Sequence, residues 1–220
     1  MSKIRNIIIT ISGEPASGKT STRKQLVDEY EKMGYRVHII TAGKIFRNNV
    51  KKEYLKMYPD RINAKLADIQ ADKSFATKLK EIDENLDLSI KQKGDEINSE
   101  EKPNDVYIID ARLAPYVIPA SYSVYLIVDE EIAGNRVYED PTRGVEDSYK
   151  DKKEATEKTR QRKLGDIKRF IEQYGIDIGK RENYKKVIDT SYLNTQEVAQ
   201  IIINGEREYR KSQTIEEQER

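Results

Sequence analysis

Short apolar runs alternate along this chain with longer segments of helical periodicity. The first run, residues 4–11, is β-branched and nearly continuous, which predicts a central parallel strand covered on both faces. Further runs at 35–41, 106–109, 123–128 and 185–188 predict four more strands. Strands that alternate with helices indicate an α/β fold of three layers, in which helices flank a parallel five-stranded sheet.

The segments between the predicted strands have helical spacing but differ in length. Residues 21–33 predict a helix that stops at Gly34. Residues 43–93 predict a long polar helical region that is broken once, at Tyr58-Pro59-Asp60. The acidic stretch 94–105 favours a loop, and the charged region 130–174 predicts a short helix, a mobile segment and a long helix.

The carboxyl-terminal part of the sequence changes character near residue 204. Residues 195–203 predict a last helix, and the almost purely charged segment 205–220 predicts a tail in the form of a solvated or frayed helix. We therefore expect one domain over residues 1–204, followed by this tail.

A glycine-rich loop lies between the first predicted strand and the first predicted helix. Residues 13–20 read GEPASGKT and match the pattern G-x-x-x-x-G-K-[ST] in full. Such a loop turns its amides toward phosphate oxygens at a helix N-terminus, while the lysine adds a positive charge and the hydroxyl ligates Mg²⁺. A chance match to a glycine turn is the weaker alternative, because the flanking strand and helix supply the expected context. The residues predicted to hold the nucleotide phosphates are Gly13, Ala16, Ser17, Gly18, Lys19, Thr20 and Ser21.

Asp110 closes the third predicted strand and is a second candidate metal ligand beside Thr20. The carboxyl ends of parallel strands meet at one edge of the sheet, so its carboxylate is expected near the bound phosphates. The alternative is an ordinary strand-end aspartate that caps the next turn.

Composition narrows the class of protein without identifying it. The 220 residues include 40 Lys and Arg against 39 Asp and Glu, and this balance gives no overall field for gripping a nucleic acid. There is no cysteine and no apolar run long enough to span a bilayer. We expect a cytoplasmic monomer that binds neither nucleic acid nor membrane. The only histidine, His38, is expected to pack within a strand.

Four segments in order resemble the cytidylate kinases, and in particular their short archaeal-type branch. They are ISGEPASGKT at 11–20, TAGKIFR at 41–47, IIDARL at 108–113 and VIDTSYLNTQEV at 187–198. YGIDI at 174–178 adds to the likeness. The resemblance implies a P-loop kinase fold with a segment for the nucleoside monophosphate at about 43–93 and a lid at about 130–174. It also implies transfer of the ATP γ-phosphoryl group to CMP or dCMP with Mg²⁺.

The resemblance also implies roles for individual residues. Gly43 and Arg47 would hold the monophosphate side, and Arg112 would contact the acceptor nucleotide. Asp166 would bind substrate between Arg162 and Arg169; their spacing of i, i+4 and i+7 presents all three on one helix face. The group implied to act in catalysis is Lys19, Arg112, Arg162 and Arg169, with Arg136 and Arg143 as further lid cations.

Two departures from the family pattern bear on the acceptor. Ala111 stands where the family usually has glycine, and the lid carries an extra segment at 140–142. The alternatives are another P-loop kinase with a different small-molecule or nucleotide acceptor, or a non-catalytic ATP-dependent regulatory protein. The arginines and the TAGKIFR segment argue against the regulatory protein, as does the absence of a D-x-x-G element after the third strand.

Overall fold

A computed structural model describes residues 6–100, 102, 104–140 and 149–218, without the side chains of Ala67 and residues 216–218. Its sheet has five strands in the order β2-β3-β1-β4-β5, all parallel. The strands are β1 (Ile7–Gly13), β2 (Arg36–Thr41), β3 (Asp105–Asp110), β4 (Tyr122–Ile127) and β5 (Lys186–Asp189). The predicted parallel five-stranded sheet flanked by helices is confirmed, with strand ends shifted by a few residues.

Eight α-helices cover this sheet or extend from it in the described part of the chain. They are α1 (Lys19–Lys32), α2 (Ala42–Met57), α3 (Leu66–Ala71), α4 (Ala76–Ser99), α5 (Ala114–Val117), α6 (Glu130–Tyr138), α7 (Lys152–Tyr174) and α8 (Thr195–Gln218). Single 3₁₀ turns lie at Lys73–Phe75 and Arg181–Asn183. None of these helices combines the length and the apolar character needed to cross a membrane.

Two hydrophobic cores explain the three layers. All seven residues of β1 are buried, as expected for the central strand of a parallel sheet. On one face of the sheet, Leu26 of α1 and Ile202 of α8 pack in a core with β1, β3 and β4. On the other face, Leu86 and Ile90 of α4 pack against β3 and α5.

The predicted loop over residues 94–105 is wrong for its first half. Helix α4 continues to Ser99, and Ile97 is buried. A Cβ on Gly94 would lie 2.5 Å from Cγ1 of Ile118, so α4 approaches α5 closely at this glycine. The acidic composition of the segment conceals a narrow buried stripe, which continues the helix.

The segment after residue 204 is helical, as expected, but it packs more closely than a solvated or frayed helix would. Residues 205–218 continue α8 without a break. A Cβ on Gly205 would lie 2.0 Å from the Tyr122 hydroxyl oxygen, and the Tyr209 ring packs 5.7 Å from the Tyr122 ring. Glu206 is buried and pairs with Arg210, so this helix face packs despite its charge.

Side-chain caps fix where α6 and α7 begin. Asp129 accepts hydrogen bonds from the amides of Glu131 and Ile132 at the start of α6, and Asp151 accepts one from Glu154 at the start of α7. Helix α7 ends at Gly175, whose φ of 67° is left-handed. The two helices approach so closely that a Cβ on Gly134 would lie 1.9 Å from Oγ1 of Thr156.

Candidate functional site

The glycine-rich loop connects the central strand β1 to α1, as its sequence predicts. Gly13 lies against the neighbouring strand, where a Cβ would come within 2.5 Å of the Leu126 carbonyl oxygen. Gly18 has a φ of 81° and directly precedes α1. Ala16, with a φ of 61°, is the non-glycine residue with left-handed backbone geometry in the described chain. The loop therefore opens onto the positive end of a 14-residue helix, a favourable place for phosphate.

The ammonium of Lys19 lies inside this loop. Its Nζ donates hydrogen bonds of 2.8 Å to the carbonyl oxygens of both Gly13 and Glu14. Burial lowers the pKa of Lys19 to about 8, a shift to which the positive charges of Arg112 and Arg162 add. The loop thus holds a cation that is only partly compensated, and phosphate oxygens would supply the missing negative charge.

The electrostatic neighbours of Lys19 include four other residues of the predicted site. Asp110 and Asp166 act on its pKa in the opposite direction to Arg112 and Arg162, and all four are close enough to shift it. These residues come from the end of β3, the segment after it, and α7. The fold therefore brings residues that are far apart in sequence to the opening of the glycine-rich loop at 13–20, which we call the phosphate loop.

The predicted metal ligands lie at the start of α1 and the end of β3. Thr20 is exposed in the first turn of α1, as is Ser21. Asp110 forms an ion pair with Arg23, and its side chain is 18% exposed. Among residues 6–100, 102, 104–140 and 149–218, no group of three or more His, Cys, Asp or Glu side chains could hold a metal ion. Thr20 and Asp110 suit Mg²⁺, which is commonly held by one or two protein oxygens together with substrate phosphates.

Ion pairs connect α7 to the segment after β3 and to α4. Asp166 pairs with Arg112, and Arg169 pairs with Asp83 on α4. Both guanidinium groups lie over the Phe170 ring, at 5.8 Å for Arg112 and 4.6 Å for Arg169. Arg162, Asp166 and Arg169 of α7 therefore have different surroundings. Arg162 is exposed and lies near Lys19, whereas Arg169 points to α4.

Arg136 lies at the phosphate loop, tied to the main chain. Its guanidinium donates to the carbonyl oxygens of Ala16, at 3.2 Å, and Thr190, at 2.6 Å. It therefore joins α6 to the loop and to the segment after β5. Arg143, the other predicted lid cation, lies outside the described residues.

The TAGKIFR segment passes from β2 into α2. Gly43 lies in the first turn of α2, and a Cβ there would lie 3.3 Å from Nη1 of Arg47, which is exposed. The guanidinium thus folds back toward the start of its own helix. Helix α2 packs against α4, which also carries Asp83.

Sequence reasoning missed several partners at the site. The pattern G-x-x-x-x-G-K-[ST] places no requirement on residue 14, yet the Glu14 carboxylate pairs with Lys163 of α7 at 2.9 Å and is 7% exposed. Glu14 and Lys163 line an open cleft together with Arg112 and Asp166. An acidic residue in a loop meant for phosphate was the available signal. Arg23 was missed too, although it follows Lys19 by one helical turn.

The sequence and the fold of this chain are similar to those of known proteins. The chain is 29% identical over 206 residues to a cytidylate kinase of Methanocella arvoryzae, covering 94% of this chain and all of that one. It is 30% identical over 198 residues to a cytidylate kinase of Sulfurisphaera tokodaii, covering 89% of this chain and 93% of that one. No protein-family model matches the chain. A crystal structure of a Thermus thermophilus protein superposes on this fold.

 The TM-score is 0.55 for that protein, at 18% identity over 92% of this chain and 98% of the other, and 0.53 for a protein of Eubacterium ventriosum.

The likeness to the solved structures supports the fold alone, whereas the similarity to the relatives extends over nearly their whole length. This chain belongs to the cytidylate kinase family and is a phosphotransferase of the nucleoside monophosphate kinase type.

Proposed function

We propose that this enzyme transfers the γ-phosphoryl group of ATP to CMP or dCMP, with Mg²⁺, and so forms ADP and CDP or dCDP. The observation that supports this most is the set of charges around the Lys19 ammonium: Asp110, Arg112, Arg162 and Asp166. Phosphoryl transfer needs mainly positive charge and correct positioning around the migrating group, and this cluster supplies both.

In this proposal the phosphate loop holds the donor. Lys19 would exchange its two carbonyl partners for the β- and γ-phosphate oxygens, and the amides from Ala16 to Ser21 would surround them. Thr20 and Asp110 would hold Mg²⁺, which would offset the negative charge of the phosphate groups. A hydrogen-bonded Arg136 would keep the loop in place beneath the nucleotide.

The acceptor would lie between α2, the segment after β3, and α7. Its monophosphate oxygen would form a bond to the γ-phosphorus while the bond to the β,γ-bridging oxygen breaks, and ADP would keep that electron pair. Arg47 and Arg112 would bind the acceptor monophosphate with Gly43 beside it, and Asp166 would bind the nucleoside. We assign the acceptor segment to residues 43–93 and the lid to residues 130–174.

The two arginines of α7 would act on the transferring group. Arg162 already lies near Lys19, so a small movement would bring its guanidinium to the γ-phosphate. Arg169 would leave Asp83 when the acceptor arrives. Cations that reach the phosphates only on closure stabilise the developing charge in a site from which water has been expelled.

An ADP-release assay with one acceptor at a time tests the proposal. Purified enzyme with Mg-ATP would receive CMP, dCMP, UMP, AMP or GMP, and we expect the fastest turnover with CMP or dCMP. Faster turnover with UMP, AMP or GMP would reject CMP and dCMP as the preferred acceptors but would still support kinase activity. An equal slow rate with every acceptor and with none would favour the regulatory protein instead.

A further inference from the structure

The carboxylate of Glu14 is an unusual feature of the phosphate loop. A negative charge beside a triphosphate site is unfavourable, yet this side chain is 7% exposed and faces the cleft. Its Oε1 lies 2.9 Å from Nζ of Lys163, and its Oε2 accepts a 3.3 Å hydrogen bond from the amide of Val128. The charge is therefore neutralised by a cation from α7 and by the main chain after β4.

Glu14 binds two lysines through different atoms. Its main-chain carbonyl accepts a hydrogen bond from Lys19, while its carboxylate pairs with Lys163. One residue thus connects the cation of the phosphate loop to the lid helix. The Lys163 side chain is 27% exposed, so the pair is shielded more than an ordinary surface ion pair.

Lys163 is one of three residues on the face of α7 that packs against the rest of the protein. Asp166 follows it by three residues and Phe170 by seven, a spacing that places all three on one helix face. Phe170 is buried, Asp166 reaches Arg112, and Lys163 reaches the phosphate loop. Because Arg162 directly precedes Lys163 on α7, the Glu14–Lys163 contact also affects the position of the Arg162 main chain relative to Lys19.

We propose that Glu14 and Lys163 are positioning residues: their ion pair docks α7 on the phosphate loop and so places Arg162 beside Lys19. This inference rests on the proposed kinase function. It adds two residues that the family resemblance does not assign, and it gives the acidic loop position a role. A direct role for Lys163 on the phosphates makes a different prediction, because Glu14 would then be dispensable.

A set of variants separates these two roles. We expect Glu14→Gln and Lys163→Met each to lower kcat by about 10- to 100-fold, because a small misplacement of a catalytic group has costs of this order. The kcat of the double variant should be no lower than that of either single variant, since both substitutions remove the same ion pair. Lys163→Arg should retain most of the activity. Lys168→Met is the matched control, because Lys168 lies on the exposed side of α7 and pairs loosely with Glu172 at 3.8 Å.

A second cycle asks whether Lys163 acts through Arg162. In an Arg162→Ala background, Lys163→Met should have little further effect on kcat. A full additional loss in that background, or normal activity of Glu14→Gln beside an impaired Lys163→Met, would overturn the positioning role. Additive losses from Glu14→Gln and Lys163→Met would overturn it as well.

Hydrogen–deuterium exchange tests the docking without any turnover. We expect faster amide exchange in the middle of α7 and in the phosphate loop of Lys163→Met and Glu14→Gln, with Lys168→Met like the wild type. Unchanged exchange in both variants would reject the docking contact. A wild-type enzyme without acceptor-dependent ADP release would instead reject the proposed function, and the exchange result would still decide the docking.

Discussion

Arg23 on α1 and Asp110 at the end of β3 form an ion pair beside the phosphate loop. The pair joins the helix that follows the loop to the strand next to β1. Both side chains are mostly buried, at 16% and 18% exposure. The carboxylate proposed for the metal is thus already oriented by a guanidinium, as supporting residues commonly orient metal ligands.

We predict that Asp110→Asn raises the Mg²⁺ concentration required for half-maximal activity by about 10- to 100-fold, since the amide oxygen is a weaker ligand and Arg23 loses its partner. A Mg²⁺ titration at saturating ATP would measure this. Asp95→Asn serves as the control, because Asp95 forms an exposed pair with Lys91 on α4. If Asp110 served only to hold Arg23, then Arg23→Met would shift the titration equally, and the metal role would be lost.

Nucleotide binding should take up a proton at Lys19. Its pKa is lowered to about 8, mainly by burial, and the arriving phosphates should raise it again. Around pH 8 part of the free enzyme therefore carries a neutral amine that must be protonated on binding, and ATP affinity should fall as the pH rises above 8. Calorimetry in buffers of different ionisation enthalpy would detect the uptake.

Lys19→Met should abolish that proton uptake and lower kcat/KM by about 100-fold or more, in line with the loss of one stabilising group at a charged transition state. Lys24→Met, at an exposed position of α1, is the control. Proton uptake that persists in Lys19→Met would show that another group titrates.

Arg162→Ala should affect turnover more than ATP binding. The exposed Arg162 lies near Lys19 in the free enzyme, and we place it on the γ-phosphate only after closure. We expect kcat to fall by about 1,000-fold, the lower range for loss of such an arginine, with a small change in ATP affinity. Arg160→Ala, at an exposed arginine paired with Glu157, is the control. An effect confined to ATP affinity would contradict the assigned position.

The close approach of α6 and α7 should make Gly134 intolerant of a side chain. A Cβ there would lie 2.7 Å from Cα of Thr156, so truncation of the threonine side chain cannot relieve the clash. Gly134→Ala should destabilise the protein by about 1–3 kcal/mol, as overpacking does. Gly165→Ala should instead stabilise it by up to about 1 kcal/mol, because that α7 position has no neighbour within 4 Å. Denaturant unfolding would compare them, and equal effects would refute the packing explanation.

The sequence alone determined the features that depend on local physics. The five strands follow from short β-branched runs, and the phosphate loop follows from two glycines with a lysine and a hydroxyl at fixed spacing. The break between α2 and α4 was visible at Pro59, where the chain cannot continue a helix. The local periodicity failed where charge concealed a buried stripe, at the end of α4, and where the chain breaks a second time, between α3 and α4.

The tertiary structure decided which charges meet. Arg23 pairs with Asp110 over 87 residues, and Arg112 pairs with Asp166 over 54 residues. Glu14 lies in the phosphate loop and Lys163 in α7, and no local sequence pattern predicts that the two side chains pair. A long charged side chain has many possible partners of similar energy in water, so its partner is chosen only when folding brings two elements together and removes the solvent between them.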